Sequence, residues 1–186
     1  EGGALLASVA SVVRFYQDRG SLPIPNGLAD PLVLNQFLRL YCGNDLQGNP
    51  LCDGFLVPEG TTEQLVNLWR VPAFSGGGAH WQPGVPSLTA IRDIVAQGLP
   101  ALVALDLTVD GIPAGAHFVV AKGVDAAGRV LVHDANPFFG ASTVEELLAE
   151  FSAGGRRWKG AIAAVLVLNP GPEGGAGFLI TGAVSF

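Results

Sequence analysis

Two valine-rich runs, His117-Phe-Val-Val-Ala-Lys-Gly123 and Arg129-Val-Leu-Val-His-Asp134, flank the short polar segment Val124-Asp-Ala-Ala-Gly128. Apolar β-branched runs on either side of a brief segment ending in glycine are the signal of a β-hairpin. A hairpin here commits the middle of the chain to antiparallel sheet, and the rest must pack on it. It also brings its own outer ends together. His117 opens the first run and Asp134 closes the second, and opposed residues on paired strands have Cβ atoms about 4.5–5.5 Å apart. An imidazole beside a carboxylate is the base and orienter of a nucleophilic triad. The same residue types also occur as solvated strand ends or as a purely structural pair. A one-residue slip in register turns a side chain to the other face, so His133 and Asn136 are rival neighbours for His117.

The flanking sequence supplies elements to cover such a sheet. Leu5, Leu6, Val9, Val12, Val13 and Tyr16 recur at three- and four-residue spacing and predict a helix over 4–16. The small residues Ala7, Ser8, Ala10 and Ser11 let other elements approach it closely. Asp30-Pro31 predicts a second helix, with Asp30 as N-cap and Pro31 at the first helical position. Thr61-Thr-Glu-Gln-Leu-Val66 carries a capping-type signal for a short third helix. The Gly-rich stretch Phe74–Pro86, with His80 and Trp81, reads as a loop that either lines a cleft or forms a surface turn. Ser87–Gln97 is an amphipathic helix stopped by Gly98 and Pro100. Strands are expected over 101–109 and 161–168, with a short helix over 143–151 between the hairpin and the last strand. Helices come first and strands follow, which argues for an α+β fold rather than a doubly wound α/β fold.

With 186 residues, 49% hydrophobic and 14% charged, the chain is long and apolar enough to bury a large core. The net charge of -6, without any lysine or arginine run, argues against nucleic acid as a partner. No uninterrupted apolar run reaches the roughly 18–20 residues needed to span a bilayer; the stretch 160–168 is too short. A chain that opens at Glu1 and contains no methionine is expected to be a processed or excised piece of something larger. Cys42 and Cys52 bracket a loop rich in Gly, Asn, Asp and Pro. A short-range disulfide suits that spacing and an oxidising setting. A metal site lacks further ligands at suitable spacing, and a nucleophilic Cys42 has nothing basic beside it.

Five pieces, in order, resemble the papain-fold cysteine peptidases of the bacteriocin-leader-processing type and their bacterial relatives. They are the opening helix ending in Phe15-Tyr16; Asp30-Pro31 followed by Leu34-Asn35 and Phe37-Leu38; the helix from Ser87; the Gly98-Leu99-Pro100 turn into a strand; and the hairpin from His117 to Asp134. The resemblance covers about residues 3–168. It implies a papain-like α+β fold, N-terminal helices followed by an antiparallel sheet, in a domain over 1–168. A Gly/Pro linker over 169–175 and an apolar tail over 176–186 would follow, the tail serving as an extra strand or a contact for an assembly partner.

In that family a cysteine at the N-terminal end of the first helix, commonly in a Gly-Cys-x-x-x-Ser phrase, is the nucleophile. A histidine opening the hairpin is the base, and a carboxylate or amide on the next strand orients it. Carried over, the base is His117, the orienter is Asp134, and Gly3-x-x-x-x-Ser8 puts the nucleophile position at Ala4. Here the chain departs from the family, since alanine has no sulfur. The family's oxyanion donor, often a glutamine shortly before the cysteine, would fall before Glu1. The implied reaction is amide hydrolysis on a peptide or peptidoglycan-type substrate without metal or organic cofactor. Ala4 is then either an engineered replacement of cysteine or a natural loss. Natural loss leads to the alternative, a catalytically silent structural or binding domain of an extracellular, cell-surface or virion assembly. An extracellular or cell-surface location is expected in both cases.

Overall fold

Capping and helical periodicity set the first elements. In the computed structural model, which describes residues 2–171 except 58, 61 and 63, helix α1 (Gly2–Asp18) buries Val9, Val12, Val13 and Tyr16 along one face. Helix α2 (Pro31–Leu40) begins where Asp30 directs it. The Asp30 carboxylate accepts the amide N–H groups of Leu32 at 2.8 Å and Val33 at 3.0 Å, and proline fills the first helical position.

Between α2 and the main sheet lie two small hairpins. Strands β1 (Gly43–Asn44) and β2 (Pro50–Leu51) pair inside the loop that the Cys42–Cys52 disulfide closes, as the spacing predicts. Strands β3 (Phe55–Leu56) and β4 (Leu65–Val66) pair next to it. Strand β4 overturns part of the helix expected over 61–66. Val66 is β-branched and buried in the core, and the helical turn starts one step later, where the Asn67 side chain accepts the Trp69 N–H and caps a 3-10 turn over Leu68–Arg70. Helix α3 (Val71–Phe74) continues from it. The segment is clamped by Arg70, whose Nε and Nη2 each donate to an Asp53 carboxylate oxygen at 2.7 Å. Gly54 lies so close under the Leu38 carbonyl that no side chain fits there.

The main sheet follows in sequence. Its elements are β5 (Ala79–Gly84), α4 (Leu88–Ala96), β6 (Ala101–Val109), β7 (Ile112–Val124), β8 (Val130–His133), α5 (Val144–Leu148), β9 (Phe151–Ala153) and β10 (Arg156–Pro170). Six strands join in the order β5-β10-β6-β7-β8, with β9 paired to β10, and every pairing is antiparallel. The architecture is α+β. Strand β5 corrects the loop expected over 74–86. It contains Pro83 and three glycines precede it, features that weaken a strand signal, yet it is an edge strand, where a missing N–H is tolerated. Strand β10 begins before residue 161 and runs past 168, so Asn169 and Pro170 pair with β5 rather than starting a linker. The expected tail over 176–186 lies outside the described residues.

Alternation along the strands divides the core in two. Leu102, Val120 and Leu168 face α1 and α2 on one side; Val103, Leu105, Val119, Ala121 and Val167 face α4 and α5 on the other. Ser87 caps α4, and Thr143 with Glu146 forms a capping box at α5.

Candidate functional site

The hairpin that positions the site is closed at its tip by Asp125. Its carboxylate accepts the N–H groups of Ala127 and Arg129, both at 2.9 Å, and the Arg129 guanidinium at 2.8 Å. Those bonds, the Arg129 backbone donor foremost, hold the Asp125 carboxyl below the usual range. Gly128 completes the turn at φ 75°, a conformation that disfavours side chains.

From that tip the ladder runs Val124↔Val130, Gly123↔Leu131, Ala121↔Val132 and Val120↔His133, with a bulge between Ala121 and Gly123. Continued, this register would set Asn136 across from His117. Strand β8 stops at His133 instead, and the chain turns so that the Asp134 side chain reaches the imidazole. His117 Nε2 lies 2.9 Å from Asp134 Oδ2, with the two side chains 4% and 6% exposed. A carboxylate only accepts, so Nε2–H donates and the opposite ring nitrogen, Nδ1, faces away from Asp134. The other carboxylate oxygen, Oδ1, accepts the Asn136 N–H at 2.8 Å, and Asn136 Oδ1 in turn accepts the Phe138 N–H at 3.1 Å. Two successive side-chain turns thus shape residues 134–138. His133 is exposed, and the Asn136 side chain serves this loop, so neither rival takes the position beside the ring.

The loop carries an aromatic wall that sequence reading missed. The Phe139 ring lies edge-on to the His117 imidazole, centroids 4.7 Å apart, and packs in turn on Phe151 at 5.8 Å and Trp158 at 5.2 Å. The Trp158 indole N–H donates to the Ala153 carbonyl at 3.0 Å, which fixes that wall. The Phe138-Phe139 pair directly after the turn residues was the available signal. Beside the pair, an open groove of about 470 Å³ is bordered by Lys122, His133, Asp134, Asn136 and Ser142.

Helix α1 meets β7 at the neighbouring residue. Beyond Val120↔His133 the outer edge of β7 carries no ladder partner among the described residues. There the Ser8 hydroxyl donates to the Phe118 carbonyl at 3.2 Å. Sequence reading took Ser8 as a small residue and as the serine of the family phrase; this hydrogen bond is a further role. Half-buried Ala4 lies one turn earlier on the same side of α1, about 6 Å along the axis. His117 shares the face of Val119 and Leu105, so its ring lies on the α4–α5 side while α1 packs on the Phe118–Val120 side. The structure therefore brings His117 and Asp134 together, and packs the helix bearing Ala4 against β7 from the face opposite the His117 ring.

Both cysteines of the chain are consumed by the disulfide, so no thiol is available to any site. Among the described residues no group of three or more His, Cys, Asp or Glu side chains is arranged to hold a metal ion. No helix of the described residues is long and apolar enough to cross a membrane. Comparison with protein-family models, curated proteins and solved structures gives no match.

Proposed function

We propose that this chain is a papain-like cysteine peptidase-type amide hydrolase domain whose thiol chemistry is silent because Ala4 stands where the nucleophile belongs. The buried His117–Asp134 bond is the observation that carries the reading. Burying an imidazole and a carboxylate costs several kcal/mol of solvation unless they satisfy each other, and here Asp134 spends one oxygen on the ring and one on the loop that positions it. Binding through Nε2 leaves Nδ1 for a partner, which is what a base held by its orienter requires. The Ser8–Phe118 bond supports the placement of position 4, since it anchors the first helix one turn away.

With a thiol at position 4, the sulfur would attack an amide carbonyl as its proton passes to His117. The C–N bond would then break as the imidazolium protonates the departing amine. Water, deprotonated by His117, would release the acid and restore the thiol, and Asp134 would hold the ring's tautomer throughout. A peptide or peptidoglycan-type amide is the substrate class. In the chain as it stands, the same scaffold binds without cleaving. The disulfide is compatible with an oxidising compartment outside the cytosol, where a silent domain of an extracellular, cell-surface or virion assembly would act.

Ala4→Cys tests the reading. A thiol at a helix start beside an imidazole should titrate well below the free value of about 8.5, and alkylate with iodoacetamide near pH 6 faster than a control thiol. His117→Ala should remove that advantage, with the disulfide kept intact and checked by thiol count. A cysteine that titrates as an ordinary thiol and ignores His117 makes the pair structural.

A further inference from the structure

At the end of the sheet where β6 begins and β10 runs out, a cavity of about 400 Å³ opens between the two helical layers. Phe15 and Tyr16 of α1, Ile94, Leu99, Val167 and Leu168 line it. Leu99 packs against both halves of the core, so the cavity occupies the seam between them. None of Ala4, His117 and Asp134 borders it, which separates it from the site above.

Its lining carries one charged group, Arg19, among the neutral polar residues Ser21, Gln82, Gln97 and Asn169. Arg19, exposed at the cavity edge, lies over the Phe15 ring with its guanidinium carbon 3.6 Å from the ring centroid. Among the described residues it has no carboxylate partner, whereas Arg14, one helical turn or so earlier, is paired with Asp18. The side chains of Gln82 and Asn169 add neutral amides to the lining. A guanidinium steadied on an aromatic face offers only donors and selects an anion such as a carboxylate. The volume falls within the roughly 300–1,000 Å³ of small-molecule sites. A peptide segment would bring backbone N–H and C=O groups that the aliphatic and aromatic walls leave unpaired. An unbranched hydrocarbon chain brings none.

We propose that this cavity binds a medium-chain fatty acid, its hydrocarbon chain among Phe15, Leu99 and Leu168 and its carboxylate on Arg19. Decanoate titrated calorimetrically into the full chain near neutral pH should bind saturably at one site. Arg19→Gln, an exposed change that leaves the core untouched, should weaken binding about tenfold or more, the effect of one charge-assisted contact. Decan-1-ol, which has the same chain without the charge, should bind the unmodified protein correspondingly less tightly. Leu99→Trp, with its fold verified by circular dichroism, should fill the cavity and abolish binding. The proposal is overturned by any of three results: no decanoate binding up to about 1 mM, equal affinity for acid and alcohol, or Arg19→Gln without effect.

Discussion

A double-mutant cycle on His117 and Asp134 measures what the buried pair contributes. Asp134→Ala removes the acceptor of the His117 Nε2–H, which is then stranded in a side chain only 4% exposed. An orphaned buried donor costs about 1–3 kcal/mol, and the lost bond to the Asn136 N–H adds about 0.5–1.5 kcal/mol. The single change should therefore destabilise by about 2–4 kcal/mol. His117→Ala leaves the carboxylate with its loop bond and strips the Phe139 ring of its neighbour, for a loss of similar size. In the double variant neither group is stranded, so the two losses should fall short of additive by about 1–3 kcal/mol. Asp134→Asn keeps one acceptor where the wild type uses two, and should fall between wild type and Asp134→Ala. The assay is urea unfolding followed by tryptophan fluorescence under non-reducing conditions, with an unchanged m-value as the test that one transition is compared throughout. A coupling below about 0.5 kcal/mol would refute the reasoning, because residues that share no interaction are additive within that margin.

Tyr16 Oη is buried without a hydrogen-bond partner, and burial pushes the phenol up to about 12. Below pH 10 folded and unfolded chains both keep the proton; from 10 to 12 the unfolded chain ionises first, so stability should fall by about 2–3 kcal/mol across that window. Tyr16→Phe should flatten the decline and add about 1 kcal/mol near neutral pH by removing an unpaired hydroxyl; an unchanged alkaline profile in chemical denaturation would locate the titration elsewhere. Reducing the Cys42–Cys52 bond, which closes a loop of sequence separation 10, should cost about 2–3 kcal/mol in the chain-entropy account. Thiol titration of the unfolded chain should find no free sulfhydryl before reduction and both cysteines afterwards.

Which elements sequence reading captures follows from how local their causes are. The starts of α2, α4 and α5 are written in adjacent residues, Asp30-Pro31, Ser87 and Thr143 with Glu146; the Asp30 cap forms as expected, and the helices expected from Ser87 and Thr143 begin there on side-chain caps of their own. The hairpin tip is equally local, set by Asp125 and Gly128. Strand β5 is not local, since it is held only by pairing with β10 some ninety residues on, and nothing in Ala79–Gly84 itself favours a strand. Strand β4 likewise exists because Val66 is wanted in a core assembled from α1 and α2. At the site, the residues His117 and Asp134 are readable from the hairpin, but their meeting depends on β8 ending at His133. A regular ladder would have chosen Asn136. The Phe139 wall and the Ser8 anchor depend on tertiary packing and leave only faint traces in their own segments.

The Ser8–Phe118 bond joins residues 110 apart, so the helix that makes it is synthesised well before the strand that receives it. At about 5–20 residues per second, its seat on β7 is completed roughly 5–20 s after the helix itself leaves the ribosome. Through that interval Val9, Val12, Val13 and Tyr16 have no sheet to cover them. The fold thus closes an early helix on a strand made late, with the long-range pairing that slows folding. Its vulnerable species is the nascent segment that carries α1 before β7 exists, and variants that weaken α1 without touching its final contacts should fail first in cellular yield, before any loss shows in the stability of the purified protein.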